Sequence, residues 1–192
     1  MTNRYIITDL ETMALTPDAI ILSVGAVVAD IEHGKAHIRA RWYRRVEYLE
    51  QLPTRHADRS TWKWWQEQND AARHEAFSYK LDRLPLWLAL QSLDAWLRLN
   101  PYPIWGNGAP FDNTILSHAY LQHGMHWPFW RDCCLRNLKN MAPLWGGSTR
   151  YPARPEHLRK HIAIDDAEYE AGHLAELLHG LQTRNHPAEV TI

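Results

Sequence analysis

The sequence predicts an α/β layered domain, and three observations predict it. β-branched and alternating runs crowd the first 46 residues, helical periodicities follow from residue 58 onward, and a short apolar run at 103–105 sets a further strand among the helices. Residues 4–11 open as a strand, with Tyr5, Ile6 and Ile7 leading into Thr8-Asp9-Leu10-Glu11. Residues 20–29 form a second, β-branched run that should lie beside it. Over residues 36–46 the pattern alternates, with Ile38, Ala40 and Trp42 on one side and Arg39, Arg41 and Tyr43 on the other. That is a half-exposed strand with a basic face.

The helices announce themselves by caps and periodicity. Asp58 or Ser60 can cap a helix through Trp62, Trp64 and Trp65, and a second helical piece starts at Asp70. Pro85 in a first turn opens the clearest helix, 86–99, which stops at Asn100-Pro101. After the short strand, Gly106-Asn107-Gly108-Ala109-Pro110 leads into a helix from Phe111 to Tyr120 that ends near Gly124. Another helix covers residues 134–141, and the Pro-, Gly- and Arg-rich stretch 142–155 reads as an ordered loop. The last helix starts about Ile164, with Ala167, Ala171, Leu174, Leu178 and Leu181 on one stripe. No repeat, low-complexity run or linker divides the chain, so residues 1–192 are read as one domain.

Composition bounds the function. The chain has 192 residues, 45% hydrophobic and 22% charged, enough to bury a substantial core. A formal net charge of -1 excludes a protein that holds nucleic acid or anionic membrane by bulk positive charge. The longest apolar stretch, 19–29, is broken by Ser23 and Gly25 and falls short of the roughly 20 residues a bilayer needs. Asp9 and Glu11 stand where a signal peptide would need its apolar segment, so the expected location is the cytoplasm. Cys133 and Cys134 are adjacent, cannot cross-link in the ordinary way, and read as small buried residues of a reducing compartment. Ten tryptophans mean that large flat surfaces are buried or presented.

Three elements carry chemistry. On a strand, Asp9 and Glu11 project from the same face, and a central strand does not carry two carboxylates unless something, usually a metal ion, compensates their charge. The spacing alone is weak, since Asp30/Glu32, Asp166/Glu168 and Glu168/Glu170 share it. The second element is Trp105-Gly106-Asn107-Gly108-Ala109-Pro110-Phe111-Asp112, in which two glycines permit a sharp turn and Asp112 falls in the first turn of a helix. It is not a dinucleotide fingerprint, because Phe111 stands where a third glycine would be needed. The third is His161-Ile162-Ala163-Ile164-Asp165-Asp166. On one helix His161 and Asp166 would diverge by about 140°, so they converge only if His161 lies in the preceding loop. Asp165 reads as a helix cap rather than a ligand.

In this order and context the three elements resemble the DEDDh family of 3′ to 5′ exonucleases, which includes ribonuclease T, oligoribonuclease and the proofreading subunits of DNA polymerases. The match is Asp9-x-Glu11 with Thr12 following, Asn107-Gly-Ala-Pro-Phe-Asp112, and His161-x4-Asp166. The wording around Trp105 to Leu116 and Ile20 to Val27 is most similar to exonucleases encoded by phages and prophages. The resemblance implies a ribonuclease H-like fold, a five-stranded mixed sheet flanked by α-helices. It implies that Asp9, Glu11, Asp112 and Asp166 hold two divalent cations, Mg²⁺ or Mn²⁺, with His161 as general base swinging in from its loop. Leu10, Thr12, Asn107 and Phe111 would bind the terminal nucleotide. The implied activity is removal of nucleoside monophosphates from the 3′ end of single-stranded DNA or RNA. The rivals are a catalytically silent nucleic-acid-binding module on the same fold and a ribonuclease H-type endonuclease.

Other features have plainer readings beside the functional one. Arg150, Arg154, Arg159 and Lys160 precede His161 and would guide a nucleic-acid strand, or form a solvated loop, and Arg39, Arg41, Arg44 and Arg45 would extend that path or, equally well, form a partner interface. Trp62, Trp64 and Trp65 suit packing or a dimer interface better than base stacking. Many relatives are homodimers, which the tryptophan excess would suit. His123-Gly-Met-His126 lacks further ligands and reads as a helix end.

Overall fold

A computed structural model gives the structure of residues 3–184. The two apolar runs become β1 (Arg4–Thr12) and β2 (Ile21–Glu32), which pair antiparallel, and β3 (Lys35–Arg45) folds back on β2 through His33-Gly34. Both turn residues have positive φ, 49° and 76°, as a two-residue hairpin loop matched to strand twist requires. Beyond β1, β4 (Ile104–Gly106) and β5 (Asp132–Cys134) run parallel to it, giving the sheet order β3-β2-β1-β4-β5. The expected five-stranded mixed sheet is therefore present.

The helices are α1 (Arg59–Gln66), α2 (Asp70–Phe77), α3 (Leu86–Leu99), α4 (Asp112–Gln122), α5 (Leu135–Met141) and α6 (Ala163–Arg184). Asp58 rather than Ser60 is the α1 cap, accepting from the Ser60 N–H at 2.6 Å, and His123 is the residue that ends α4. Pro85 precedes the first turn of α3 instead of lying in it. No helix among the described residues is long and apolar enough to cross a membrane.

Each face of the sheet buries its own core. Ile6, Leu10, Val24, Ala26 and Val28 pack with Leu90, Leu93 and Leu97 of α3 and Ile115 of α4. On the opposite face Ile7, Val27, Ala29 and Ile31 pack with Ala167, Ala171 and Leu174 of α6. The predicted α6 stripe thus holds over its first half, while Leu178 and Leu181 stay partly exposed. A third cluster of Met13, Ile20, Leu22, Trp65, Ala72 and Ala76 fixes α1 and α2 beyond the end of β1.

Three local expectations are corrected. Ile38, Ala40 and Trp42 do not share a face: the pairing skips a residue between Val28/Ala40 and Ala29/Ile38, so Arg39 is bulged. Ile38 consequently packs on the α6 face and Ala40 and Trp42 on the α3 face. Residue 134 ends β5 rather than beginning a helix, and Cys133 and Cys134 are free and half-buried there, not buried. The stretch after α5 is not all loop, since residues Ala142–Trp145 form a 3₁₀ turn closed by left-handed Gly146.

Candidate active site

The site lies where β1 and β4 end side by side. Thr8 pairs with Gly106, so Asp9 and Glu11 extend one and three residues past that rung, on the face covered by α6. Gly106 sets the next element. A Cβ there would meet the Asn113 side-chain oxygen at 2.5 Å and the Asp112 carboxyl at 3.0 Å, so only glycine lets α4 start against the strand end and deliver Asp112. Gly25, the rung partner of Asp9, plays the same part for α6. A Cβ at 25 would stand 2.4 Å from the backbone of Ala163 and Ile164, so its absence seats the start of α6 directly on β2.

His161 lies in the loop before α6, as its convergence with Asp166 demands, and takes a left-handed φ of 62°. That turn aims the half-buried imidazole into the cleft, where its ring meets Trp64 edge-on at 4.8 Å and Trp65 at 6.5 Å. Trp65 is fully buried and donates to the Thr12 carbonyl at 2.9 Å, so β1, α1 and the His161 loop are tied together. The ring already faces the cluster: ligand atoms of Glu11, His161 and Asp166 lie within 4.8 Å of one another. Asp165 is not a cap. Its carboxylate accepts from the Arg159 backbone and guanidinium at 3.0 and 2.8 Å, while Asp166 accepts from the Ile162 N–H at 3.2 Å.

Around this cluster opens a cleft of about 1070 Å³, lined by eight of the nine expected residues, Asp9, Leu10, Glu11, Thr12, Asn107, Phe111, His161 and Asp166; the ninth, Asp112, is buried close enough to Asp9 and Glu11 to repel them but does not line the cleft. Burial, followed by mutual repulsion with Glu170, Glu11, Asp112 and Asp166, pushes the Asp9 carboxyl well above the usual range. Burial does the same for Glu11, aided by Asp166 and Asp112, and raises Asp112 to about 7 against backbone N–H groups that favour its ionised form. Burial lowers His161 below the ordinary imidazole value, which keeps it neutral at neutral pH although Asp166 pulls the other way. So many carboxyl groups in one buried space, opposed by the Arg154 guanidinium on Asp166 and by Arg136 toward Asp112, form a donor set of hard oxygens that suits divalent cations.

Glu170 is the residue that the sequence reading passed over. It is 4% exposed, lines the cleft, and repels Asp112, Asp166 and Asp9. Its strand-type spacing from Glu168 hid the relevant one, since on a helix Glu170 follows Asp166 by one turn. Trp64, expected to pack, is 40% exposed and walls the cleft, whereas Trp65 is core as expected.

The basic residues divide. Arg154 pairs with Asp166 and lies over the Tyr169 ring at 4.1 Å, and Arg159 pairs with Asp165, so neither is spare for a strand. Lys160 and Arg136 line the cleft. Arg39, Arg41 and Arg45 are engaged by Asp30, Glu168 and Glu75, Arg44 rests on Trp42, and none of the four borders the cleft. Among the described residues they therefore do not extend the lining of the cleft, although the Arg39 and Arg41 side chains stay more than half exposed beside their carboxylates.

The family model for a 3′-5′ exoribonuclease, Rv2179c-like domain matches residues 4–178. The zinc-bound ExoI–ssDNA complex from E. coli matches with TM-score 0.65 at 13% identity, over 96% of this chain and 42% of that one. Cell-death related nuclease 4, CRN-4, matches with TM-score 0.64 at 13% identity, over 92% of this chain and 64% of that one. The nuclease domain of 3′hExo, a DEDDh family member bound to rAMP, matches with TM-score 0.56 at 14% identity and 92% coverage of each chain. The chain therefore spans less than half of ExoI and just under two thirds of CRN-4, and at such identities the likeness establishes the ribonuclease H-like fold. No curated protein sequence matches the chain.

Proposed function

The chain belongs to the Rv2179c-like 3′-5′ exoribonuclease domain family, and from that premise we propose that it removes nucleoside monophosphates from the 3′ end of single-stranded nucleic acid. RNA is the first substrate to try, after the family's description. Residues 1–192 act as one exonuclease domain of the cytoplasm. Asp9, Glu11, Asp112 and Asp166 hold two divalent cations, Mg²⁺ or Mn²⁺. The observation that carries the proposal is the meeting of Glu11 from β1 with His161 and Asp166 from the loop and first turn at the start of α6, within 4.8 Å, in a cleft that Asp9 also lines.

Divalent cations held there would make water more acidic and neutralise charge on the departing 3′ oxygen. The chain's own residues do the rest. His161, kept neutral by burial, takes the proton from the attacking water at a ring nitrogen. Trp64 and Trp65 restrict the ring's orientation, so the base does not have to be ordered at each turnover. Leu10 and Phe111 offer the terminal nucleoside an apolar wall, beside Thr12. Asn107 is held by the Tyr151 hydroxyl, which donates to its Oδ1 at 3.0 Å, and so presents a fixed amide to the same space. Lys160 and Arg136 give the incoming phosphates positive charge at the rim of an acidic site.

Replacement of the base separates chemistry from metal binding. His161→Ala is expected to slow turnover by about 10²- to 10⁴-fold while leaving Mn²⁺ binding near wild type. Asp166→Asn is expected to lose both. Steady-state rates beside calorimetric Mn²⁺ titration check this, and a His161→Ala enzyme of undiminished rate would remove His161 from the mechanism.

A further inference from the structure

Along α6 the positions that face the sheet are Ala167, Ala171 and Leu174, small or apolar as helix packing requires. Glu170 breaks that rule. It is 4% exposed, and its Oε2 has no hydrogen-bond partner among the described residues, although an ionisable oxygen left alone at such depth is costly. Its hydrogen-bonding neighbour is the Asn107 side chain, whose oxygen is taken by the Tyr151 hydroxyl at 3.0 Å, leaving the amide N–H groups for Glu170, and Arg154, paired with Asp166, adds some positive charge. Helix geometry places Glu170 one turn after Asp166 on the same side, and its electrostatic neighbours are Asp112, Asp166 and Asp9. The unpartnered oxygen thus belongs to a group that lines the cleft among the other carboxylates.

We infer that Glu170 is a fifth carboxylate of the cation-binding set, lying on its Asp9–Asp112 side and held in place by Asn107 and Tyr151. The inference rests on the reading of this cleft as a divalent-cation centre. It explains why a glutamate is kept where the helix otherwise needs alanine: a bound cation supplies the partner that Oε2 lacks. It also gives Asn107 and Tyr151 a positioning role toward Glu170.

The test is Mn²⁺ titration of the chelated full-length chain by calorimetry, comparing wild type with Glu170→Gln, Asp166→Asn and the exposed-site control Glu176→Gln. Glu170→Gln should weaken Mn²⁺ binding about 10- to 100-fold, the range seen when groups supporting a metal site are removed, and Glu176→Gln should leave it unchanged. Thermal unfolding in EDTA should show Glu170→Gln at least as stable as wild type, which separates loss of a cation partner from loss of fold. Wild-type affinity in Glu170→Gln, with affinity lost in Asp166→Asn, overturns the inference and leaves the exonuclease reading standing. No Mn²⁺ binding by wild type overturns both. An anomalous-scattering map of wild-type crystals soaked in Mn²⁺ needs no variant. An ion bound directly or through one water to the Glu170 carboxylate is expected, and ions placed only on the other four carboxylates would contradict it.

Discussion

Asp112 shows what the site costs when no cation is bound. It is buried beside Asp9 and Glu11 with a carboxyl raised to about 7, above the ordinary 3.8. A group whose pKa is higher in the folded state stabilises the fold fully below its unfolded value, and that contribution disappears as pH rises through the folded one. The chelated protein should therefore lose a few kcal/mol of stability between about pH 4 and pH 7 from this residue, following the roughly 1.4 kcal/mol per pH unit of proton linkage. Asp112→Asn should flatten that slope, and added Mn²⁺ should reverse it in wild type, both read by thermal unfolding in a pH series. An unchanged slope in Asp112→Asn would show that Asp112 is ionised in the folded chain throughout. Asp9, Glu11 and Asp112 were legible in the sequence because a two-residue period on a strand and a helix start after Gly106 fix where those side chains go. Glu170 was not, because its meaning depends on which residues lie one helical turn away and on Asn107 approaching from another element.

At the scale of elements, the site depends on how closely α6 sits on β2. Gly25 faces the Ala163 and Ile164 backbone at distances that no Cβ tolerates, and backbone, unlike a side-chain tip, cannot swing aside. Gly25→Ala should cost about 1–3 kcal/mol, the usual range for overpacking, and should lower activity further than stability. The reason is that the displaced segment carries His161 and Asp166. Thermal unfolding and steady-state rates measured together check this, and a variant equal to wild type in both would mean that α6 is placed by its apolar stripe alone. The stripe was visible as a helical period, as were α3 and the two long strands. The bulge at Arg39 was not, since an inserted residue leaves the alternation intact on paper and only the β2 pairing shows that the faces exchange. A three-residue β5 is likewise too short for any period to reveal.

Across the whole molecule, a net charge of -1 conceals a strong separation: buried carboxylates at the strand ends, Lys160 and Arg136 at the mouth, and other arginines spent on ion pairs. Composition excluded bulk electrostatic binding but could not say which cations were free. The tryptophans divide in the same way, with Trp42, Trp65 and Trp127 in the cores and Trp62, Trp64, Trp87 and Trp130 substantially exposed. Only the fold tells which of them wall the cleft. The account as a whole is tested most directly by incubating the purified chain with matched 5′-labelled single-stranded RNA and DNA oligonucleotides, in Mn²⁺, in Mg²⁺ and in EDTA. A ladder of 5′-labelled products shortening one nucleotide at a time, present with metal and absent with EDTA, is the predicted result. Intact oligonucleotides from a protein that binds them and Mn²⁺, or a single internal cut, would contradict it.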